Sequence, residues 1–269
     1  MATYEEGGLA FAPPDYDLLD DPVLARFVFY PRRDWRPAPP GAEDVSVAAE
    51  DGTLLSGRLY RADKAGPAVL FFHGNGEVAS DYDDVAPLFR DVGASLLVAD
   101  YRGYGRSGGA PSFPAMIRDA HAFHRAFVDG LEERGFTGRR FVMGRSLGGH
   151  AAVELAAHHP RGLAGLIVES GVTGVSRFVQ YVGMKHGMEA AVELEARHLA
   201  KLRSIRIPAL ILHGAEDEVV PVEEAEFLHQ VLSVGEKRLV VIPGAGHNDI
   251  LWLGQEAYMR ALRAFMAGR

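Results

Sequence analysis

At 269 residues the chain is long for one small domain and short for two, and a single α/β core is the usual solution at this length. Hydrophobic residues make up 48% and charged residues 24%, which excludes a disordered or fibrous chain. The formal net charge of -8 argues against a nucleic-acid or anionic-membrane partner, and the lack of cysteine excludes disulfides, a thiolate nucleophile and zinc–thiolate ligation.

The chain opens on Met1-Ala2-Thr3-Tyr4-Glu5-Glu6-Gly7-Gly8, which lacks the basic and apolar stretches of a secretory signal. No later run approaches the ~18 apolar residues of a membrane span. A cytoplasmic protein without a stable membrane anchor is therefore expected. Residues 1–44 read as an N-terminal arm. Within it Leu18 to Tyr30 has helical spacing, with Leu24, Phe27 and Val28 on one face, until Pro31 ends it. Four prolines between Pro31 and Pro40 hold the next stretch extended, and the arm is expected to pack over the core.

From Val45 onward the chain reads as one domain, residues 45–269. Val45-Ser46-Val47 and Leu54 to Tyr60 flank an Asp51-Gly52 turn, the signal of a β-hairpin. Six apolar runs follow: Ala68 to Phe72, Ser95 to Ala99, Phe141 to Met143, Leu163 to Val168, Ala209 to Leu212 and Leu239 to Ile242. None alternates with polar residues, as befits parallel strands covered on both faces. Helix-forming stretches separate them: Val78 to Asp91, Ala115 to Glu132, Leu147 to His158, Val222 to Val234 and Ile250 to Ala267. The expected fold is an eight-stranded, mostly parallel sheet wrapped by helices. One connection is too long for a single crossover helix. Residues 172–206 are expected to form a lid above the carboxyl ends of the strands, with helical spacing from Met188 to Leu202.

Two pentapeptides match Gly-x-Ser-x-Gly, and context separates them. Gly105-Arg106-Ser107-Gly108-Gly109 leads into Ala110-Pro111-Ser112-Phe113-Pro114, which cannot open a helix. Gly144-Arg145-Ser146-Leu147-Gly148 lies between a strand and a helix, the setting of a nucleophile elbow, so Ser146 is the candidate nucleophile and Ser107 a loop residue. A serine hydroxyl needs a base, usually an imidazole held by a carboxylate. Asp217, in His213-Gly214-Ala215-Glu216-Asp217, and His247, in Gly246-His247-Asn248-Asp249, each follow a strand and supply that pair. Glu169, at the end of another strand, competes for the role of acid, though it is expected instead to anchor the start of the lid. The backbone N–H groups of Asn75, in His73-Gly74-Asn75-Gly76, and of Leu147 would form an oxyanion hole.

These blocks, together with Asp100-Tyr101-Arg102-Gly103-Tyr104-Gly105-Arg106-Ser107, resemble the small serine hydrolases of the α/β-hydrolase superfamily over roughly residues 45–267. The resemblance implies the α/β-hydrolase fold and cleavage of a small-molecule acyl ester or thioester without a cofactor. The same three residues could also cleave amides or peptides, or survive in a non-catalytic binding module of the same fold. The remaining candidates have structural readings. His121 and His124 are expected to be helix histidines without a partner carboxylate, so no metal site is assigned. His158 and His159 close a helix, His73 orients its loop, and Asp249 is expected to cap the last helix.

Overall fold

The computed structural model describes residues 12–269; the Met1–Gly8 segment discussed above lies outside them. Strands β1 (Ala42–Ala48) and β2 (Leu54–Tyr60) form the expected hairpin. The strands β3 (Ala68–Phe72), β4 (Ser95–Ala99), β5 (Arg140–Arg145), β6 (Gly165–Glu169), β7 (Ala209–Gly214) and β8 (Lys237–Ile242) complete an eight-stranded sheet ordered β1-β2-β4-β3-β5-β6-β7-β8. The β1–β2 and β2–β4 pairings are antiparallel and the others parallel.

The unbroken apolar runs are explained by two cores. Leu70, Phe72, Val142, Leu166, Val168 and Ile211 face one, while Val69, Phe71, Phe141, Met143, Ile167 and Leu210 face the other. Because strand side chains alternate faces, both parities must be apolar when both faces are covered. The outer strand β8 is only half covered, and Val241 on it is exposed. The chain moves outward from β3 to β4, then returns to β5 and proceeds the other way. The order therefore reverses between β3 and β5, the place where open α/β sheets form a crevice beyond their strand ends.

The first core is covered by α3 (Phe113–Glu133), α4 (Gly149–His158), α6 (Met188–Ser204) and α7 (Val222–Val231). Helix α3 corrects one expectation: the Ala110–Pro114 stretch does open a helix, because Ser112 caps it by accepting the Ala115 N–H and Pro114 suits the first turn. On the other face lie α2 (Ala86–Asp91) and α9 (Gln255–Met266). Several helices are shorter than their patterns predict. The Val78 to Asp91 stretch is a 3₁₀ turn, Ala79–Asp83, followed by α2, and the last helix is split at Gly254 into α8 (Ile250–Leu253) and α9. In the arm, the expected Leu18–Tyr30 helix is a 3₁₀ turn, Tyr16–Leu19, and α1 (Pro22–Val28). Pro22 cannot continue a helix from the preceding turn, but suits the first helical position, and Asp21 caps it by accepting the Val23 and Leu24 N–H groups.

The 172–206 insertion is a helical hairpin, α5 (Ser176–His186) and α6, reversed at Gly187. Helix α5 exceeds the sequence expectation, which placed a helix only from Met188. Helix α6 is fastened to the body by the buried Lys201, whose Nζ donates to Glu154 Oε2 on α4 at 2.8 Å and to the Tyr16 hydroxyl of the arm. Tyr16 in turn donates to His198 Nδ1 at 2.8 Å. Lys201, Glu154, Tyr16 and His198 thus each have a polar partner, which is what makes their burial tolerable.

Candidate active site

Strand β5 delivers Ser146 at a turn whose backbone has no room for side chains on either side. A Cβ on Gly144 would stand 2.2 Å from Gly148 O, and one on Gly148 would stand 2.1 Å from Phe72 O and 2.9 Å from His73 O. The elbow is thus pressed against the end of β3, bringing Leu147 beside the His73–Asn75 loop. Ser146 itself has φ +50, a left-handed conformation that costs a non-glycine residue about 1–3 kcal/mol and is held by surrounding packing. The Ser146 carbonyl accepts the Val172 N–H at 3.0 Å, which ties the start of the helical hairpin to the elbow.

Two loops converge on the serine. The Asp217 loop leaves β7 and the His247 loop leaves β8. His247 Nε2 lies 3.0 Å from Ser146 Oγ, and its Nδ1 lies 2.8 Å from Asp217 Oδ2. With a carboxylate at Nδ1, the proton belongs there, leaving Nε2 to accept from the serine hydroxyl. Asp217 is held by its own loop: Oδ1 accepts the N–H groups of Val220 at 2.7 Å and Val219 at 3.0 Å. Burial opposes ionisation of Asp217, but those N–H groups and the His247 imidazole outweigh it and hold the carboxyl below its usual range. All three side chains are buried. Ser146, Asp217 and His247, three of the residues singled out in the sequence, are therefore brought together.

Asn75 is placed at the same crevice, but its side chain serves the arm. Its Nδ2 donates to Val28 O at 2.9 Å, and its Oδ1 accepts from the Tyr30 N–H at 2.8 Å and the Tyr104 hydroxyl at 2.7 Å. The arm is therefore laced to the loop whose N–H was expected to meet an oxyanion, a link that nothing in the local sequence signals. Below that loop, His73 Nδ1 meets Gly74 O at 2.8 Å and its carbonyl accepts the Tyr101 hydroxyl, so His73 orients its loop as expected.

Other expectations are corrected or refined. Glu169 does not anchor the lid: Oε1 accepts from Arg145 Nε at 3.1 Å and Oε2 from the Tyr258 hydroxyl on α9 at 2.5 Å. Burial pushes its carboxyl up, against the opposing pull of Arg145. Asp249 makes no side-chain cap to α8; it accepts the Gly246 N–H at 2.7 Å and so braces the residue before His247. Ser107 is fully buried, donating to Asp100 O and accepting the Ser56 N–H, both at 2.8 Å, which makes it a loop strut. His121 does have a partner carboxylate, since Glu154 Oε1 lies 3.3 Å from its Nε2; the helix spacing alone could not show a partner 33 residues away.

His121, Glu154 and His158 are the one group among the described residues whose donor atoms gather as metal ligands would. Glu154 already shares its charge with the buried Lys201, so this cluster is internally balanced. The sequence reading also passed over Arg145, because the motif leaves that position open.

Comparisons with known proteins bear on the fold and the family. Among solved structures, the esterase Pf2001 of Pyrococcus furiosus has a TM-score of 0.70, covering 88% of this chain and 98% of its own at 20% identity. A monoacylglycerol lipase of Paleococcus ferrophilus has a TM-score of 0.60 over 80% and 98% of the two chains, also at 20% identity. At such identity the likeness is one of fold. A protein of Mycobacterium tuberculosis described only as uncharacterized is 32% identical over 234 residues, 84% of this chain and 80% of its own length. The α/β-hydrolase domain-containing protein WAV2 of Arabidopsis thaliana is 28% identical over 244 residues, 83% and 78% of the two. The family model described as serine aminopeptidase, S33, matches residues 63–202 and 184–251, a span that takes in the elbow and both loops that converge on it. With the sheet order, the crevice and that match in agreement, the chain belongs to the serine aminopeptidase S33 family of α/β-hydrolases.

Proposed function

We propose that the protein is a serine hydrolase that cleaves carboxylic esters or thioesters through an acyl-enzyme. The observation that carries this reading is the line from Ser146 Oγ to His247 Nε2 at 3.0 Å and from His247 Nδ1 to Asp217 at 2.8 Å. In that arrangement His247 takes the hydroxyl proton as Ser146 attacks the acyl carbonyl, and Asp217 stabilises the imidazolium that forms. The N–H groups of Asn75 and Leu147 receive the developing oxyanion, a single such donor being worth on the order of 10²–10³ in rate. His247 then protonates the departing alcohol or thiol. Water, deprotonated by the same imidazole, releases the acid. Exposed apolar side chains on the neighbouring elements, among them Tyr30, Met184, Val219 and Trp252, support an apolar acyl substrate, as do the esterase and lipase names of the structural neighbours.

The family's own description supplies the second reading, a peptide or other amide substrate for the same residues. A panel of p-nitrophenyl esters, acyl thioesters and aminoacyl p-nitroanilides separates them. Ser146→Ala is expected to remove fluorophosphonate labelling and nearly all turnover, while Ser107→Ala keeps the acyl-enzyme burst. The opposite ranking would assign the nucleophile elsewhere, and an unlabelled wild-type protein would favour a binding module.

A further inference from the structure

Arg145 occupies the open second position of Gly144-Arg145-Ser146, and its guanidinium is almost completely buried. It meets groups from two loops and from the end of β6. Nη2 donates to His247 O at 2.9 Å and to Asn248 Oδ1 at 3.0 Å, Nε to Glu169 Oε1 at 3.1 Å, and Nη1 to Glu77 Oε1. Glu77 carries the contact onward, since its Oε2 accepts the Gly74 N–H at 2.7 Å and the Tyr82 hydroxyl at 2.6 Å. A Cβ on Gly74 would stand 2.5 Å from Arg145 Nη1, so the backbone just before Asn75 lies directly against the guanidinium. A single side chain, covalently next to Ser146, thus touches the backbone of His247 and, through one carboxylate, the N–H that precedes Asn75.

We infer that Arg145 is a positioning residue for hydrolysis, its guanidinium fixing the His247 loop and the Gly74–Asn75 loop at the spacing Ser146 requires. This inference rests on the serine-hydrolase reading above. Charge alone does not explain the residue, because a lone ammonium would also neutralise a neighbouring carboxylate. The rigid fork does explain it: several donors in one plane reach partners in different directions at once, which a lysine cannot do.

The test compares Arg145→Met, Arg145→Lys and the triple variant Arg145→Met/Glu77→Gln/Glu169→Gln, which removes the buried charges together. Each is read by Tm, by kcat and KM on p-nitrophenyl acetate, and by amide hydrogen exchange of residues 74–76 and 246–249. Arg145→Met is expected to lower kcat about ten- to a hundredfold with KM within about twofold, since small misplacements of reacting groups act on the chemical step. Exchange should quicken in both loops together. Arg145→Lys should recover less than about a third of the lost kcat, and the triple variant should regain Tm without regaining kcat. Recovery of kcat in the triple variant or in Arg145→Lys would reduce the guanidinium to a neutralising charge and overturn the inference. Ser146→Ala, run alongside, reports on the parent reading. If it kept wild-type turnover, that reading would fail, while unchanged exchange of the two loops in Arg145→Met would overturn the present inference on its own terms. Should Arg145→Met fail to fold, the lysine and triple variants carry the same comparison.

Discussion

Glu169 ends β6 and Asp217 lies in the loop after the neighbouring β7, yet their surroundings give them different chemistry. Backbone N–H groups and an imidazole favour the Asp217 carboxylate, and one of its oxygens is left for His247. Glu169 is buried, and both of its oxygens are taken by Arg145 and Tyr258. Asp217→Asn is therefore expected to lower kcat on the order of 10⁴, because an amide at Nδ1 favours the wrong tautomer of the base. Glu169→Gln should cost about tenfold, through loosened geometry only. Steady-state kinetics on folded variants checks the order, and a larger loss at Glu169 would make that residue the acid. At this scale the site was readable where a motif names the residue: serine, aspartate and histidine each sit at a marked place after a strand. Arg145 was not readable. Its partners Glu77 and His247 lie 68 and 102 residues away in sequence, and a local pattern holds no trace of such distances.

Among the elements, strands were more legible than helices. A strand buried on both faces is an apolar run, and such a run has few other readings. Helices lost length where short-range chemistry overrode periodicity, as at Pro22 and Gly254. The arm is the element whose role local sequence could least convey. It crosses the Asn75 loop, holds Asp81 and the Gly76 carbonyl through Arg32, and reaches the Ser107 and Gly109 carbonyls through Arg33. Asn75→Ala would remove three hydrogen bonds to the arm and its neighbour Tyr104. Two of these hold the arm itself, at Val28 and Tyr30, and net contributions of about 1 kcal/mol each make its local release roughly thirtyfold more frequent. Limited trypsin digestion should then cut after Arg32 or Arg33 at least about tenfold faster than in the wild type. An unchanged rate would show that the arm is held elsewhere. Since α6 is locked by Lys201, substrate preference is better probed on the exposed face of α5 than by deleting the hairpin, which would strip Glu154 of its buried ammonium partner.

For the whole molecule, the buried imidazoles set the response to acid. Burial, with nearby Lys201, pushes His198 down to about 3; burial and neighbouring histidines push His124 to about 4 and His159 to about 3. Their native values lie below the unfolded value of about 6.5, so the unfolded chain binds more protons between those limits. Stability is accordingly complete above pH 6.5 and lost as pH falls toward 3. His198 alone contributes a slope of up to about 1.4 kcal/mol per pH unit in that window. Urea unfolding at pH 7, 5.5 and 4.5 should show this decline, and His198→Gln should flatten it by about that amount; parallel slopes would mean that His198 is charged in the native state. The polar chain around His198 has one more consequence, concerning the order of synthesis. Tyr16 and Lys201 are 185 residues apart. The turn at Tyr16 therefore leaves the ribosome long before its polar anchor is made, and although its ring packs on Phe113, its hydroxyl has no native partner until most of the protein has emerged. Closing so large a span is also costly in chain entropy. The turn at Tyr16 is thus bound to be among the last parts of the fold to be sealed.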